Sequence, residues 1–245
     1  MEIVYKKPKG TLEGAKNSFC PGCMHSTVWR LICEVIEEMD LQKRCVWVAG
    51  VGCVANAHGY IGIDNFGIPH GRACAGASAF KRCNPETIMF TYQGDGDLAA
   101  IGLAETMSAA SRAENFTVFF INNGIYGMTS GQLAPTTLLG AKTSTTPYGR
   151  NVKDHGYPMD MCKILDTMIG PSYIARVTTA DVPNVRKAKE SIRKAFQCQI
   201  DGKGFSFVEF LTNCSTNWGV TPLESLDYIL NDMIKEYPLG EFRSN

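Results

Sequence analysis

No stretch of the sequence approaches the ~18 consecutive apolar residues that mark a membrane-spanning helix, so no span is expected. The N-terminal MEIVYKKPKGTLEGAK lacks the apolar stretch of a secretory leader. Excess charge of either sign is missing too: 24 lysines and arginines balance 24 aspartates and glutamates. That balance leaves no basic footprint for nucleic acid or an anionic membrane surface. Neither an internal repeat nor a composition break marks a second domain. With 44% hydrophobic and 20% charged residues over 245 positions, what remains is one ordinary globular core over 1–245. The expected location is the cytoplasm, with no nucleic-acid or membrane partner.

Cysteine is what the sequence has in surplus, with ten residues. In a reducing compartment, surplus thiols point to metal or redox work rather than a disulfide framework. Cys33, Cys45, Cys83, Cys162 and Cys198 fall in or beside element-like segments, where cysteine serves as a small packing residue. The stretch FCPGCMHS differs. Cys20 and Cys23 flank a Pro-Gly turn, which is the geometry of half a metal site.

Helical spacing over 27–39 is followed by the β-branched strand CVWVAG (45–50), a glycine-rich loop (50–71) and a small-residue helix (72–83) closed by Asn84-Pro85. A strand over 87–92, a helix over 98–112 and a strand over 117–121 come next. The loop 122–157, rich in Gly, Thr and Pro, is long enough to read as functional. Beyond it the order repeats: helix 158–168, strand 172–178, helix 183–198, strand 205–211 and helix 222–235. The basic face of 183–198 reads as solvated surface, with docking of an acidic partner as the alternative. Alternating strands and helices predict an α/β fold, a doubly wound and mainly parallel sheet with helices on both faces. Ligands bind such sheets beyond the carboxyl ends of the strands, here the loops 50–71, 93–97 and 122–146.

Two of those loops carry matching signals. TIMFTYQGDGDLAAIGLAE ends a strand in Gly94-Asp95-Gly96-Asp97 and opens a helix at once, and TVFFINNGIYGMTSGQ ends the next strand in Asn122-Asn123. The glycines let backbone N–H groups turn toward an anion, and the helix N-terminus adds its positive dipole end. Asp95 and Asn123 offer hard oxygens suited to magnesium shared with phosphate. GDG, twenty-five residues, then NN resembles the thiamine diphosphate signature of the transketolase and pyruvate-oxidising superfamily. The resemblance implies Asp95, Asn123 and the Ile125 carbonyl as magnesium ligands. It also implies Gly96, Asp97 and the Thr129 hydroxyl against the diphosphate, with Gly52, Cys53, His70, Gly94, Gly127 and Met128 beside them.

Cys53 follows the first strand and Cys214 the last, so Cys20, Cys23, Cys53 and Cys214 are expected to converge at the cofactor end of the sheet. Four thiolates suit structural zinc or a [4Fe–4S] cluster, and spacing does not choose between them. CPGC, GVGC, HGRA, GDGD, NNGIYGMTSGQLAPTT and TNC, in that order over roughly 18–240, resemble the thiamine-diphosphate (beta) subunit of 2-oxoacid:ferredoxin oxidoreductases. The 2-ketoisovalerate type is the nearest, the 2-oxoglutarate type next. The resemblance implies that these four cysteines hold one [4Fe–4S] cluster. It further implies coenzyme-A-dependent oxidative decarboxylation of a 2-oxoacid in anaerobic metabolism, with ferredoxin as electron acceptor. Where that family often reads CPGCGHG, this chain has Met24 and Ser26.

His58 (facing the substrate), His70 (at the diphosphate) and Arg72 are candidate catalytic or contact residues, and His25 reads as a hydrogen-bonded structural histidine. The superfamily's glutamate for the aminopyrimidine ring is not matched: Glu105 lies in the helix after GDGD, on the wrong side of the sheet. A partner alpha subunit is therefore expected to supply it, within a dimer of heteromers. No run of four closely spaced cysteines is present, so the acceptor is a ferredoxin-like subunit or a soluble ferredoxin. The competing readings are a non-redox thiamine-diphosphate carboligase or decarboxylase with structural zinc, and a zinc-stapled interaction module.

Overall fold

The computed structural model describes residues 6–245; the first residues of the segment read above as leaderless, 1–5, lie outside the described residues. The strands are β1 (Cys45–Ala49), β2 (Asp64–Gly67), β3 (Ile88–Gly94), β4 (Thr117–Asn122), β5 (Ile125–Tyr126), β6 (Gln132–Leu133), β7 (Pro171–Thr178), β8 (Phe205–Leu211) and β9 (Gly240–Ser244). Seven of them form one sheet in the order β2-β1-β3-β4-β8-β7-β9. All pairings are parallel except β7 with β9. Strands β5 and β6 form a small antiparallel hairpin inside the long loop.

The central strands are apolar along their whole length because helices cover both faces, which removes the alternation of a half-exposed strand. In β4, Phe119 and Ile121 point into one core, shared with Trp29, Tyr92 and Phe196. Val118 and Phe120 point into the other, shared with Ala77, Leu98 and Met161. The first core lies under α1 (His25–Glu38) and the long helix α6 (Val182–Ile200); the second lies under α2 (Ala73–Cys83), α3 (Leu103–Ser111) and α5 (Met161–Asp166). A four-residue turn, α4 (Val152–His155), sits in the loop before α5. This is the doubly wound sheet that the strand–helix alternation predicts. The adjacent strands β1, β3, β4 and β8 end side by side at its centre, and the loops leaving them gather there.

Strands β2 and β9 were not predicted. DNFG and GEFRS lie at the two sheet edges, mostly exposed, and carry no apolar run. The helix after GDGD opens as a π-helix, Gly96–Ile101, before α3. The predicted last helix likewise has a π-helical middle, Ile229–Met233, after α8 (Pro222–Tyr228) and the short α7 (Ser215–Trp218). Such widened turns cluster at functional sites.

Much of the basic face of α6 is used within the chain, while Arg186 and Lys187 stay exposed. Lys189 Nζ lies 2.9 Å from Glu34 and 2.6 Å from Glu38, and Arg193 also pairs with Glu38, so these charges clasp α6 to α1. An acidic partner is not needed to account for them. Cys33, Cys45, Cys162 and Cys198 are buried as packing residues, whereas Cys83 is exposed. No helix among the described residues is long and apolar enough to cross a membrane.

Candidate cofactor and metal site

Strand β3 delivers Asp95 to the centre of the carboxyl edge, where it is 3% exposed. Its Oδ1 accepts the Gly96 N–H at 2.8 Å, and its Oδ2 accepts the Ile125 N–H at 3.0 Å and the Thr136 hydroxyl at 3.3 Å. Burial pushes the carboxyl pKa up to about 7, against the downward pull of these donors. Strand β4 delivers Asn123, whose Oδ1 accepts the same Ile125 N–H at 3.2 Å. Two hard oxygens from different strands thus meet at one N–H, close enough to share an octahedral cation, and a divalent ion would offset the burial of the carboxylate. The donor set fits magnesium.

One cavity of about 130 Å³ is lined by Gly52, Cys53, His70, Gly94, Asp95, Gly96, Asp97, Asn123, Ile125, Gly127, Met128 and Thr129. These are the twelve positions expected at the cofactor, and the fold brings all of them to one wall. Tyr126 and His25 join them. Gly96 makes room for the Tyr126 ring: a Cβ there would lie 2.2 Å from it, so any larger residue has to displace the ring.

Several side chains act differently from the expectation. Asp97 Oδ1 accepts the N–H groups of Gly71 (2.8 Å) and Val51 (3.3 Å), Oδ2 accepts from Gln93 Nε2 (2.6 Å), and His70 Nδ1 stands 2.5 Å from Oδ1. The carboxylate staples two loops to the helix start, so what Asp97 has left for an anion is its backbone. The Thr129 hydroxyl donates to Gln132 Oε1 at 2.6 Å. Arg72 does not line the cavity; from the start of α2 it pairs with Glu105 of α3. His58 is exposed and packs against the Trp47 ring at 5.0 Å, outside the cavity wall. His25 shares a 2.8 Å hydrogen bond with the Tyr92 hydroxyl and stacks on Phe19, and burial lowers its pKa to about 4. It is a neutral structural histidine that also reaches the cavity.

The cysteines gather beside this wall. Cys20 and Cys23 are closed into a turn by the Cys23 N–H donating to the Cys20 carbonyl at 3.0 Å, with Gly22 at φ +76°. A Cβ on Gly127 would stand 3.2 Å from Cys53 Sγ and 3.5 Å from Cys214 Sγ, so that glycine makes room for two sulfurs. Burial pushes the thiols of Cys23 and Cys53 up to about 11 and 12, and the Cys53 thiol also feels Cys214, Cys23 and Cys20. Among the described residues, no three or more His, Cys, Asp or Glu side chains stand close enough to hold a single metal ion. Asn213 ties the two halves together: its Oδ1 accepts the Met24 N–H at 2.9 Å, and its Nδ2 donates to the Gly22 carbonyl at 3.0 Å. Asn217 Nδ2 donates to Cys214 Sγ at 3.2 Å and to the Gly127 carbonyl at 2.8 Å. Sequence reasoning missed Asn213, Asn217 and Thr136; the TNC and APTT segments contained Asn213 and Thr136, and Asn217 follows Cys214 by three residues, but nothing local marked their roles.

Met24 adopts φ −70°, so the position needs no glycine, and its side chain is buried with Leu211, Met233 and Tyr237. Met24→Gly is expected to cost about 2–4 kcal/mol in denaturant unfolding. A loss under about 1 kcal/mol would show that this packing is idle.

A parallel sheet whose carboxyl edge presents GDG and the second asparagine of NN to one cavity is the architecture of a thiamine-diphosphate enzyme. Residues 44–210 match the thiamine pyrophosphate enzyme C-terminal TPP-binding domain. The chain is 42% identical over 240 residues to the ketoisovalerate oxidoreductase subunit VorA of Methanothermobacter marburgensis, covering 98% of this chain and 50% of that protein. It is 38% identical over 203 residues to the 2-oxoglutarate synthase subunit KorB of Methanocaldococcus jannaschii, covering 82% of this chain and 70% of that one. The solved 2-oxoglutarate:ferredoxin oxidoreductase from Magnetococcus marinus, with 2-oxoglutarate, coenzyme A and succinyl-CoA bound, superposes with a TM-score of 0.79 at 22% identity, over 99% of this chain and 86% of that one. The chain belongs to the thiamine-diphosphate-binding subunits of the 2-oxoacid:ferredoxin oxidoreductase family. It spans about half the length of the VorA proteins it matches.

Proposed function

We propose that this chain is the thiamine-diphosphate subunit of an oxidoreductase that converts a 2-oxoacid and coenzyme A to acyl-CoA and CO2, passing two electrons to ferredoxin. 2-Ketoisovalerate and related branched-chain acids are the proposed substrates, with 2-oxoglutarate next. The observation that carries the reading is the meeting of Asp95, Asn123, Cys53 and Gly127 on one cavity wall, with Cys214 directly behind Gly127. The identity to the VorA and KorB proteins supports the substrate class, and the coenzyme A bound in the Magnetococcus enzyme supports the acyl acceptor.

Thiamine diphosphate, when bound, supplies the carbanion chemistry that releases CO2 from a 2-oxoacid, and a [4Fe–4S] cluster supplies a one-electron acceptor. The chain's own part is placement. Asp95, Asn123 and the Ile125 carbonyl would hold magnesium, and the GDGD backbone at the opening of the π-helix would receive the diphosphate. Cys20, Cys23, Cys53 and Cys214 would hold the cluster. Four thiolates beside a cofactor that generates a carbanion support a four-iron cluster over zinc, because the carbanion's electrons need an acceptor there and zinc is not redox-active.

Glu105 is committed to Arg72, so the glutamate for the aminopyrimidine ring is proposed to come from an alpha subunit, in a dimer of heteromers. The test is anaerobic co-purification with the partner subunits, followed by metal analysis and coenzyme-A-dependent viologen reduction across a panel of 2-oxoacids. The expected result is a brown complex with about four irons per chain and its fastest turnover on branched-chain acids. Zinc in colourless protein, or coenzyme-A-independent turnover, would favour the non-redox alternative. The chain purified without partners is expected to show little turnover, and substantial activity would remove the alpha-subunit claim.

A further inference from the structure

A buried network outside the cavity wall, Asn122, Glu209, Arg176 and Tyr237, connects to both halves of the metal site. Asn122 is fully buried; its Oδ1 accepts the Gly124 N–H at 3.1 Å, and its Nδ2 donates to Glu209 Oε1 at 2.7 Å. Glu209 Oε2 accepts from Arg176 Nε at 2.8 Å and from Cys162 Sγ at 3.1 Å. Arg176 is itself 0% exposed, pairs also with Asp160, and lies 5.1 Å from the centres of the Tyr237 and Phe242 rings. Tyr237 in turn donates its hydroxyl to the Thr136 carbonyl at 2.8 Å, and the Thr136 hydroxyl donates to Asp95 Oδ2.

Two arms therefore leave one guanidinium. One runs through Glu209 and Asn122 to the turn that carries Asn123 and Ile125. The other runs through Tyr237 and Thr136 to Asp95. We infer that Arg176, acting through Glu209 and Tyr237, is the positioning centre that sets the separation of Asp95 from the Asn123–Ile125 turn, and with it the fit of magnesium. The inference rests on the reading of that pair as the magnesium–thiamine diphosphate site.

The physical case is one of rigidity. A buried ion pair adds little net stability over a well-packed apolar substitute, so the role inferred for this one is to hold geometry through its directional hydrogen bonds. Outer groups that orient metal ligands through hydrogen bonds affect metal affinity strongly, because magnesium demands near-ideal octahedral placement. The first arm ends on the Gly124 N–H beside the ligands and the second on Asp95 itself through Thr136, whereas Arg176, Glu209 and Tyr237 touch neither a ligand nor the cavity.

The test titrates magnesium into the full chain, co-purified with its partner subunits, at saturating thiamine diphosphate. Binding is read by calorimetry and, with manganese in place of magnesium, by electron paramagnetic resonance. Glu209→Gln preserves shape while removing charge, and Tyr237→Phe keeps the ring over Arg176 while removing the donor to Thr136. Each is expected to weaken metal affinity by about 10- to 100-fold with a cooperative melting transition retained. The control is Thr117→Val at the opposite end of β4, which removes the hydroxyl paired with Ser206 at 2.9 Å. It is expected to lower the melting temperature without changing metal affinity.

Metal affinity within about twofold of wild type in both variants, with wild type binding normally, would reduce the network to a structural role and leave the site assignment standing. Wild type that binds no magnesium with thiamine diphosphate would instead overturn the site assignment, and the inference with it. If Glu209→Gln does not fold, Tyr237→Phe alone decides.

Discussion

Asp95→Asn is expected to abolish magnesium-dependent thiamine diphosphate binding, weakening it by more than about 100-fold, while the chain stays folded. The amide keeps an oxygen that accepts from Gly96 or Ile125, so the turn retains part of its pairing. What it removes is the negative charge, the part of the residue that a cation needs and that burial penalises. A buried carboxylate whose pKa stands near 7 rather than in the ordinary acid range is held at a cost to folding. The metal-free Asp95→Asn chain should therefore melt at least as high as metal-free wild type, a pattern typical of a site kept for function at the expense of stability. Calorimetric titration with thiamine diphosphate and magnesium reads the binding, and thermal unfolding reads the fold. Binding within about tenfold of wild type would remove Asp95 from the metal site.

Arg150→Met is expected to cost about 3 kcal/mol or more and to open the long loop to protease between 134 and 157. Arg150 is 5% exposed and spends its guanidinium on six backbone carbonyls: Ala134 (3.4 Å), Pro135 (2.8 Å), Thr137 (2.6 Å), His155 (3.2 Å), Gly156 (3.0 Å) and Tyr157 (2.7 Å). Methionine fills the space but leaves those acceptors without a donor, and an unmade buried hydrogen bond costs more than a made one contributes. Because Thr136 lies within this segment and reaches Asp95, cofactor binding should weaken along with stability. Arg150→Lys should fail to rescue: an ammonium offers three donors at a point, where this loop uses a planar fork. Limited proteolysis and denaturant unfolding measure both effects, and a lysine variant indistinguishable from wild type would sink the account.

These two side chains show how much of the molecule could be read from its letters. The GDG and NN turns were legible because each is local: an apolar strand, a small-residue turn, and an oxygen-bearing residue at a fixed offset. The CPGC turn was legible for the same reason. Edge strands β2 and β9 were not, since their pairing depends on neighbours rather than on any apolar pattern of their own. The π-helical opening after Asp95 was equally hidden, because its sequence has the same periodicity as an α-helix. Arg150 and Asn213 carry no local signal, and their partners are fixed only when the chain is folded. Arg72 and His58 show the opposite error. Each sits in a motif-like segment near the site, yet one is drawn to Glu105 and the other to Trp47.

The clasp made by Asn213 bears on the order in which the protein matures. Zinc fingers fold only when metal arrives, because nothing else holds their ligands together. Here the CPGC turn and the strand end bearing Cys214 are joined by amide hydrogen bonds that require no iron. For the cluster proposed above, the expected consequence is that polypeptide folding and iron delivery are separate events, the second acting on a receptacle already shaped by the first. Loss of a cluster held there would leave that receptacle in place for reloading.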